Sequence, residues 1–500
     1  MEAYLQYRRL RKSVKQSVDS DKVDNSRNVP SDTNNRNDIE DVNFAVSDPQ
    51  NPQNWSVGYK IFCTSIIWLL TFVTGWASAV DSVSLDTAGK DLHVSKIAEA
   101  LATSMYMFGV GAGALFVGPC SETLGRLPTY LLTFALYLVW IMATALAPNF
   151  TAQIVFRLCA GVFAAASMSI YGGSLADLFD VHERAWLWPF FALSPLLGPT
   201  IAPIAGGWIV TYLSWRWIDW VTLIISGAIF LFATVFLPET FSPVLLSFKA
   251  RLLRQATGND CYQSEHDQQS NLGPKLKDNL RRIIYFLFRE PTTLLFEMYL
   301  TLLYILIYGF LQGFDYIFTR TYHFNVGYRY TSFGAIVIGI LLGLPYVLLL
   351  NFTFGKTSKS DQSAAPPPEQ RLGPALFASP LLPISLFWIG WTNRPDISYW
   401  SDLGACCLFG FAVMALFAST YHYLLDSYGT NAASAMAAVT FIRYFASGGM
   451  VLATGPMFTA LTVKWTLTLL GCVAAVLTPV PWVFWRYGSV IRGKSKWANK

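Results

Sequence analysis

The sequence predicts an all-α membrane protein with twelve transmembrane helices in two six-helix bundles. Three observations lead there. Of its 500 residues 53% are hydrophobic and only 13% charged, against about 25% charged in a soluble domain. Twelve apolar runs can each cross a bilayer, which takes roughly 20 residues. The basic residues are also sorted. With both tails in the cytoplasm, 27 of the 36 Lys and Arg fall on that side, 7 on the other, and 2 (Arg157 and Arg443) within spans. That is the bias of cytoplasmic loops. The net charge of +5 therefore describes topology and not affinity for nucleic acid.

Residues 1–57 are polar and carry no cleavable signal; a basic run from Arg8 to Lys15 precedes an acidic, Asn-rich stretch. They read as a disordered cytoplasmic tail, with the first span serving as an uncleaved anchor. Residues 58–237 form the N-terminal bundle, with spans at 61–81, 98–117, 129–147, 152–173, 187–211 and 218–237. A central cytoplasmic loop, 238–291, breaks at Gly273-Pro274 and continues as a basic, helix-like run from Lys275 to Arg289. The C-terminal bundle, 292–485, has spans at 292–317, 331–351, 375–392, 400–423, 431–454 and 465–485, with a Pro-rich insert from Lys356 to Gln370. A basic tail, 486–500, closes the chain. Two six-span halves about a charged loop is a layout of transporters. Trp clusters at predicted span ends suit the bilayer interface. The seven Cys show no metal-binding spacing and read as packing residues.

The most informative stretch is GPCSETLGRLPTY, Gly118 to Tyr130, a polar turn between two spans. Gly118 and Gly125 allow close approach and unusual dihedrals. Glu122 and Arg126 stand four apart, so one helical turn would pair them. The string resembles the signature loop of the major facilitator superfamily, in the form GPxSExxGRRPxY of fungal drug:proton antiporters, with Leu127 replacing the second Arg. Asp177, Glu183 and Arg184 follow the fourth span, and with Glu122 and Arg126 they form a candidate latch between the bundles.

In the fifth span, SPLLGPTIAPIAGGWI resembles that family's antiporter signature through Pro195, Gly198, Pro199, Pro203, Gly206 and Gly207, with Ala202 where Gly is usual. Gly198 and Gly206 lie on nearly one face and admit a close neighbour, and the prolines permit bending. The resemblance implies a hinge or seal between bundles. Arg157, opening RLCAGVFAAAS, resembles the family's RxxxG motif, in which the Arg influences a neighbouring carboxylate; an Arg snorkelling to water is the alternative. Asp48-Pro49, Asn51-Pro52-Gln53-Asn54-Trp55, Trp215-Arg216-Trp217, Pro238-Glu239-Thr240 and Tyr423 to Gly429 extend the likeness over roughly residues 48–488.

Intramembrane acids carry a functional expectation. Asp81 lies about 30 Å up the first span at 1.5 Å per residue. Asp315 lies at similar depth in the seventh, and either would attract cations at the outer mouth or cap a helix. Glu297 has no obvious partner in sequence and is the first candidate for reversible protonation, although its depth also allows an interfacial position. Gln312 stands where many relatives carry Glu. Arg443, near the midplane, is the strongest charged cavity candidate, and Tyr304 and Tyr308 share a face that can line an amphipathic cavity.

The expected function is proton-coupled efflux of small amphipathic molecules by alternating access, driven by the proton gradient without a cofactor or metal. The scarcity of mid-membrane carboxylates favours neutral or weakly charged cargo. The alternatives are polyamine export, proton-coupled nutrient uptake, or a membrane sensor without net transport. No HExxH, GxSxG or His/Asp cluster supports an enzyme. The expected partners are a small-molecule substrate, protons and lipid, with the protein a monomer in the plasma or vacuolar membrane.

Overall fold

Where no water reaches the backbone, an apolar run satisfies its own N–H and C=O groups as a helix. A computed structural model describes residues 1–25, 40–45, 47–264, 272–357, 367–428 and 432–495. Among these, spans 1 to 6 are Val57–Val83, Lys96–Leu124, Arg126–Ala145, Phe150–Leu178, Glu183–Tyr212 and Trp217–Phe236. Spans 7 to 10 are Thr293–Tyr322, Val326–Thr353, Pro368–Thr392 and Tyr399–Tyr428. One further apolar stretch, Ser434–Gly493, has 60 residues. At 1.5 Å per residue it would measure about 90 Å, three bilayer cores. It bends at Thr462, whose φ is 66°, so 434–461 and 463–493 serve as spans 11 and 12.

Burial separates the inner helices from the periphery. Span 7 buries 78% of its apolar window, spans 6 and 8 only 33% each, so the latter turn most of their surface to lipid. The bundles meet where span 2 packs on span 11 and span 5 on span 8. Gly198 shows why span 5 carries glycine: a Cβ there would lie 2.6 Å from the Phe72 carbonyl oxygen of span 1. Both described chain ends lie at one end of the molecule, called the inner end below. The tail touches Glu239 through Gln6, and Arg492 pairs with Glu369 beside Arg371.

The tail departs from the expected disorder. Glu2–Asn25 is a helix (the tail helix) packed on Ser242–Thr257 (the loop helix). Leu10, Val14 and Val18, four residues apart, bury one face of it, and Tyr7 meets Phe248 edge-on at 4.4 Å between ring centroids. That stripe is diluted among charges, which is why composition alone reads as disorder. Residues 26–39 of the tail lie outside the described residues. The expected basic helical run belongs to Leu272–Arg289 (the linker helix), which leads into span 7. Most of the Pro-rich insert, 358–366, lies outside the described residues.

Candidate functional site

The interface between the bundles carries polar groups at three levels. At the inner end, Arg126 and Glu122 do not share the helical turn expected of them. Gly125, with φ of 100°, ends span 2 and starts span 3, so residues 122 and 126 do not share one helix. Instead the Arg126 Nε donates to Asp177 Oδ2 at 2.9 Å and its Nη1 to Ser121 Oγ at 2.6 Å. Gly118 accepts from Ser121 Oγ at 2.8 Å, bracing the same turn. A Cβ on Gly125 would also meet Glu239 Oε2 at 2.6 Å. That carboxylate accepts from the backbone N–H groups of Arg126, Leu127, Thr240 and Phe241 at 2.9–3.2 Å, capping the start of span 3.

Glu183 and Arg184 point different ways. Glu183 pairs with Lys60 of span 1 at 2.9 Å. Arg184 reaches across the interface to Asp426 of span 10 at 3.2 Å, and Arg371 of the same C-terminal bundle binds the other oxygen of Asp426 at 3.0 Å. Beside them, Trp188 Nε1 donates to the Ala418 carbonyl at 2.9 Å, and its ring stacks on Tyr421. At this end the ion pair that crosses between bundles is thus Arg184–Asp426, while Arg126–Asp177 stays within the N-terminal bundle.

At mid-depth Arg443 is fully buried, and its Nε and Nη1 have no hydrogen-bond partner. Its guanidinium lies 4.2 Å from the Tyr304 ring centroid, 5.3 Å from that of Tyr444, and 5.7 Å from those of Phe417 and Tyr421. Tyr304 donates to the Pro195 carbonyl across the interface at 3.3 Å, and Tyr308 bonds Ser78. Glu297 is 1% exposed, and neither carboxylate oxygen has a partner among the described residues. With Thr301, Tyr304 and Tyr308 it forms one stripe along span 7 at helical spacing.

The outer level is a chamber of about 250 Å³ whose lining includes Lys96, Gln312, Asp315, Tyr316, Arg329 and Tyr330. Asp315 pairs with Arg329 and with Lys96, the latter at 3.5 Å across the interface. It is an ion-paired wall residue that also stands at the C-cap of the helix Pro291–Phe314. Gly206 faces Val80 and Val83 of span 1, while a Cβ on Gly207 would meet Tyr330 of span 8 at 2.8 Å. Pro199 abuts Gly75, and Pro203 is buried in the same helix. Span 5 is therefore a close-packed seam with faces on both bundles. Tyr330 donates to the Ser82 carbonyl and Trp208 to Thr331, so the bundles touch at the outer end as well as the inner one.

A fourth cluster lies inside the N-terminal bundle. Arg157 is fully buried, which excludes snorkelling; it pairs with Asp81, lies 3.9 Å from Asp219, and donates to the Ala77 carbonyl at 3.0 Å. Asp81 thus faces Arg157 and not the outer mouth. Glu99, buried nearby, accepts from Gln153 at 2.9 Å. Buried acids are consequently not scarce, and the argument for neutral cargo from their scarcity fails. Sequence reading missed Asp219, two residues beyond the quoted Trp215-Arg216-Trp217, and Glu99, in the first turn of span 2. It quoted Asp426 and Glu239 only within longer matches.

Two six-helix bundles enclosing a polar pathway between membrane-spanning helices define a membrane transporter. Comparison with known proteins supplies the family: residues 67–451 match the Major Facilitator Superfamily, and the chain belongs to it. This is a family of transporters and not of enzymes. The chain is 43% identical to the MFS-type transporter kojT of Aspergillus flavus, over 91% of this chain and 82% of that protein. It is 33% identical to the citrinin biosynthesis cluster MFS transporter mrr1 of Monascus ruber, over 91% of each. The xylose transporter XylE from E. coli, in a partially occluded inward open conformation, shares the fold with a TM-score of 0.61, at 14% identity over 86% of this chain and 98% of that one.

Proposed function

We propose that the protein exports a small acidic or carbonyl-bearing organic molecule in exchange for protons, by alternating access to the interface between its bundles. The observation that carries this reading is Arg443: a buried guanidinium with two unpartnered nitrogens inside an aromatic cage. Burying such a group without hydrogen bonds is costly. A carboxylate or enolised carbonyl would fill its fork in two parallel bonds, and the rings would hold a flat apolar body. The names of mrr1 and an ascochitine biosynthesis cluster transporter of Didymella fabae support a metabolite exporter over a broad drug pump.

Two places suit the proton. Glu297 faces the same interface as Tyr304. In the N-terminal bundle, Arg157 faces both Asp81 and Asp219, and one buried guanidinium balances only one carboxylate. The protein acts as a monomer in the plasma membrane, driven by the proton gradient and without a cofactor.

The test is export from proteoliposomes under an imposed pH gradient, using a fluorescent aromatic carboxylate and its methyl ester as probes. Wild type should export the acid in preference to the ester, and a proton uncoupler should abolish accumulation. Glu297→Gln should lose gradient-driven export yet retain downhill exchange of the acid. Export of a polyamine but of neither aromatic probe would overturn the cargo class. Full gradient-driven export by Glu297→Gln would move coupling to Asp81 and Asp219.

A further inference from the structure

The buried stripe of the tail helix leaves an opposite face exposed among the described residues. Tyr4, Arg8, Arg11, Lys12 and Lys15 are all exposed and follow helical spacing on one side. Within the basic run, Arg9 pairs with Glu2 at 3.1 Å. The helix starts at the level of the inner membrane surface, because the Met1 amine donates to the carbonyl of Thr234 at 2.9 Å, near the inner end of span 6. The linker helix repeats the pattern. Lys277, Arg281, Ile284 and Phe288 share one exposed face, with Ile284 57% and Phe288 73% exposed. Its opposite face buries Ile283, Phe286 and Leu287, and the ring of Phe286 meets Tyr428. Glu290 alone separates this helix from the helix Pro291–Phe314 that carries span 7.

We propose that these two faces bind the anionic phospholipid headgroups of the leaflet at the inner end. The occupant follows from charge and position together. A basic helix carrying exposed aromatic and aliphatic side chains beside a membrane-spanning helix matches a negatively charged interface, where each cation adds attraction and the apolar residues enter the headgroup boundary. The two contacts have different consequences. The tail helix rests on the loop helix and touches Glu239, which caps span 3 at the Arg126 turn, so lipid bound there bears on the inner latch region. The linker helix packs on spans 2 and 11, so lipid bound there bears on the seam between bundles.

The test uses full-length protein in nanodiscs of phosphatidylcholine alone or with about 30% phosphatidylserine, with the disc scaffold as the sole other protein. Hydrogen exchange is followed over residues 4–18 and 277–289. Phosphatidylserine should slow exchange in both segments by about tenfold, and about 1 M NaCl, where the Debye length is about 3 Å, should remove the effect. The Arg8→Gln/Arg11→Gln/Lys12→Gln/Lys15→Gln variant keeps Leu10, Val14 and Val18. It should retain the exchange seen in neutral discs and lose the phosphatidylserine increment over the tail. Lys277→Gln/Arg281→Gln should do the same for the linker helix. Equal exchange in neutral and anionic discs, or a lipid effect that survives both variants, overturns the proposal. Neither readout depends on transport, so it stands or falls apart from the cargo assignment.

Discussion

Asp426→Asn should release the inner latch and shift the protein toward an inward-open arrangement. Asp426 receives Arg184 from the opposite bundle and Arg371 from its own. The three side chains are 8%, 13% and 10% exposed, respectively. Breaking a fully buried pair by removing one partner costs about 3–5 kcal/mol, and an exposed pair is worth about 0–1 kcal/mol. A tenth of residual exposure places the loss between them, at about 2 kcal/mol. Only the Arg184 half crosses the interface, because Arg371 accompanies Asp426 in either arrangement. The bias on orientation is therefore about 1–2 kcal/mol, or roughly 5- to 30-fold in population at 1.4 kcal/mol per tenfold. The assay is alkylation of Ser419→Cys, one residue beyond the Ala418 carbonyl that Trp188 holds, in a background without the seven native Cys. An impermeant maleimide applied from the inner side should react roughly tenfold faster in the Asp426→Asn protein. Arg184→Ala should have a similar effect, and the two should not add; Arg371→Ala should cost stability with little change in alkylation. Unchanged labelling in both Asp426→Asn and Arg184→Ala would refute the latch.

Three further outcomes follow from single contacts. Gly198→Ala should lower thermal stability by about 1–3 kcal/mol, because its Cβ has no room against the Phe72 carbonyl; an unchanged melting temperature would show that spans 1 and 5 separate freely. Arg443→Lys should weaken binding of an aromatic carboxylate at least tenfold despite conserving charge, since the planar fork and ring stacking are lost; equal affinity, read by ligand-induced fluorescence change, would remove Arg443 from the cargo site. In the segment between spans 1 and 2, hydrogen bonds from Arg216 and Trp215 hold the Asp91 carboxyl below its ordinary range. A depressed carboxylate stabilises the fold above its unfolded pKa, and that contribution disappears as pH falls through the folded value. Asp91→Asn should therefore flatten the loss of stability below about pH 4, and an identical acid-unfolding curve would count against it.

The spans were legible because each is a one-dimensional signal: about twenty apolar residues in a row need no knowledge of their neighbours. Even the fused stretch 434–493 divides where the apolar runs do. The tail helix was not legible from composition, since three buried residues at Leu10, Val14 and Val18 are hidden in a mostly charged segment. The single helical turn expected to hold Glu122 and Arg126 fails for a local reason, the backbone reversal at Gly125, which an i,i+4 rule cannot anticipate. The Arg157 cluster lay further from reach. Asp81, Glu99, Arg157 and Asp219 come from four different spans, and only packing brings them together. What the sequence did convey was that a charge held in hydrocarbon has a reason, which is why Arg157, Glu297 and Arg443 could be singled out before their surroundings were known.

Arg443 and Glu297 are complementary in what each lacks. The guanidinium has no carboxylate and the carboxyl has no donor, yet they do not meet: Tyr304 lies against Arg443, and Glu297 sits seven residues before Tyr304 on the same face of span 7. Seven residues correspond to about 10 Å of helix, the length of a small aromatic acid rather than of an ion pair. Had the two been in contact, they would neutralise each other and leave neither free to bind. Under the proposed function, keeping them apart along one stripe leaves the cation for an acidic cargo and the acid for a proton. Opening the inner end through Arg184–Asp426 would then hydrate Glu297 before Arg443, so that proton release inward and cargo entry share one path. This order requires the Glu297→Gln protein to bind cargo with wild-type affinity from the inner side and to fail only when export must run uphill.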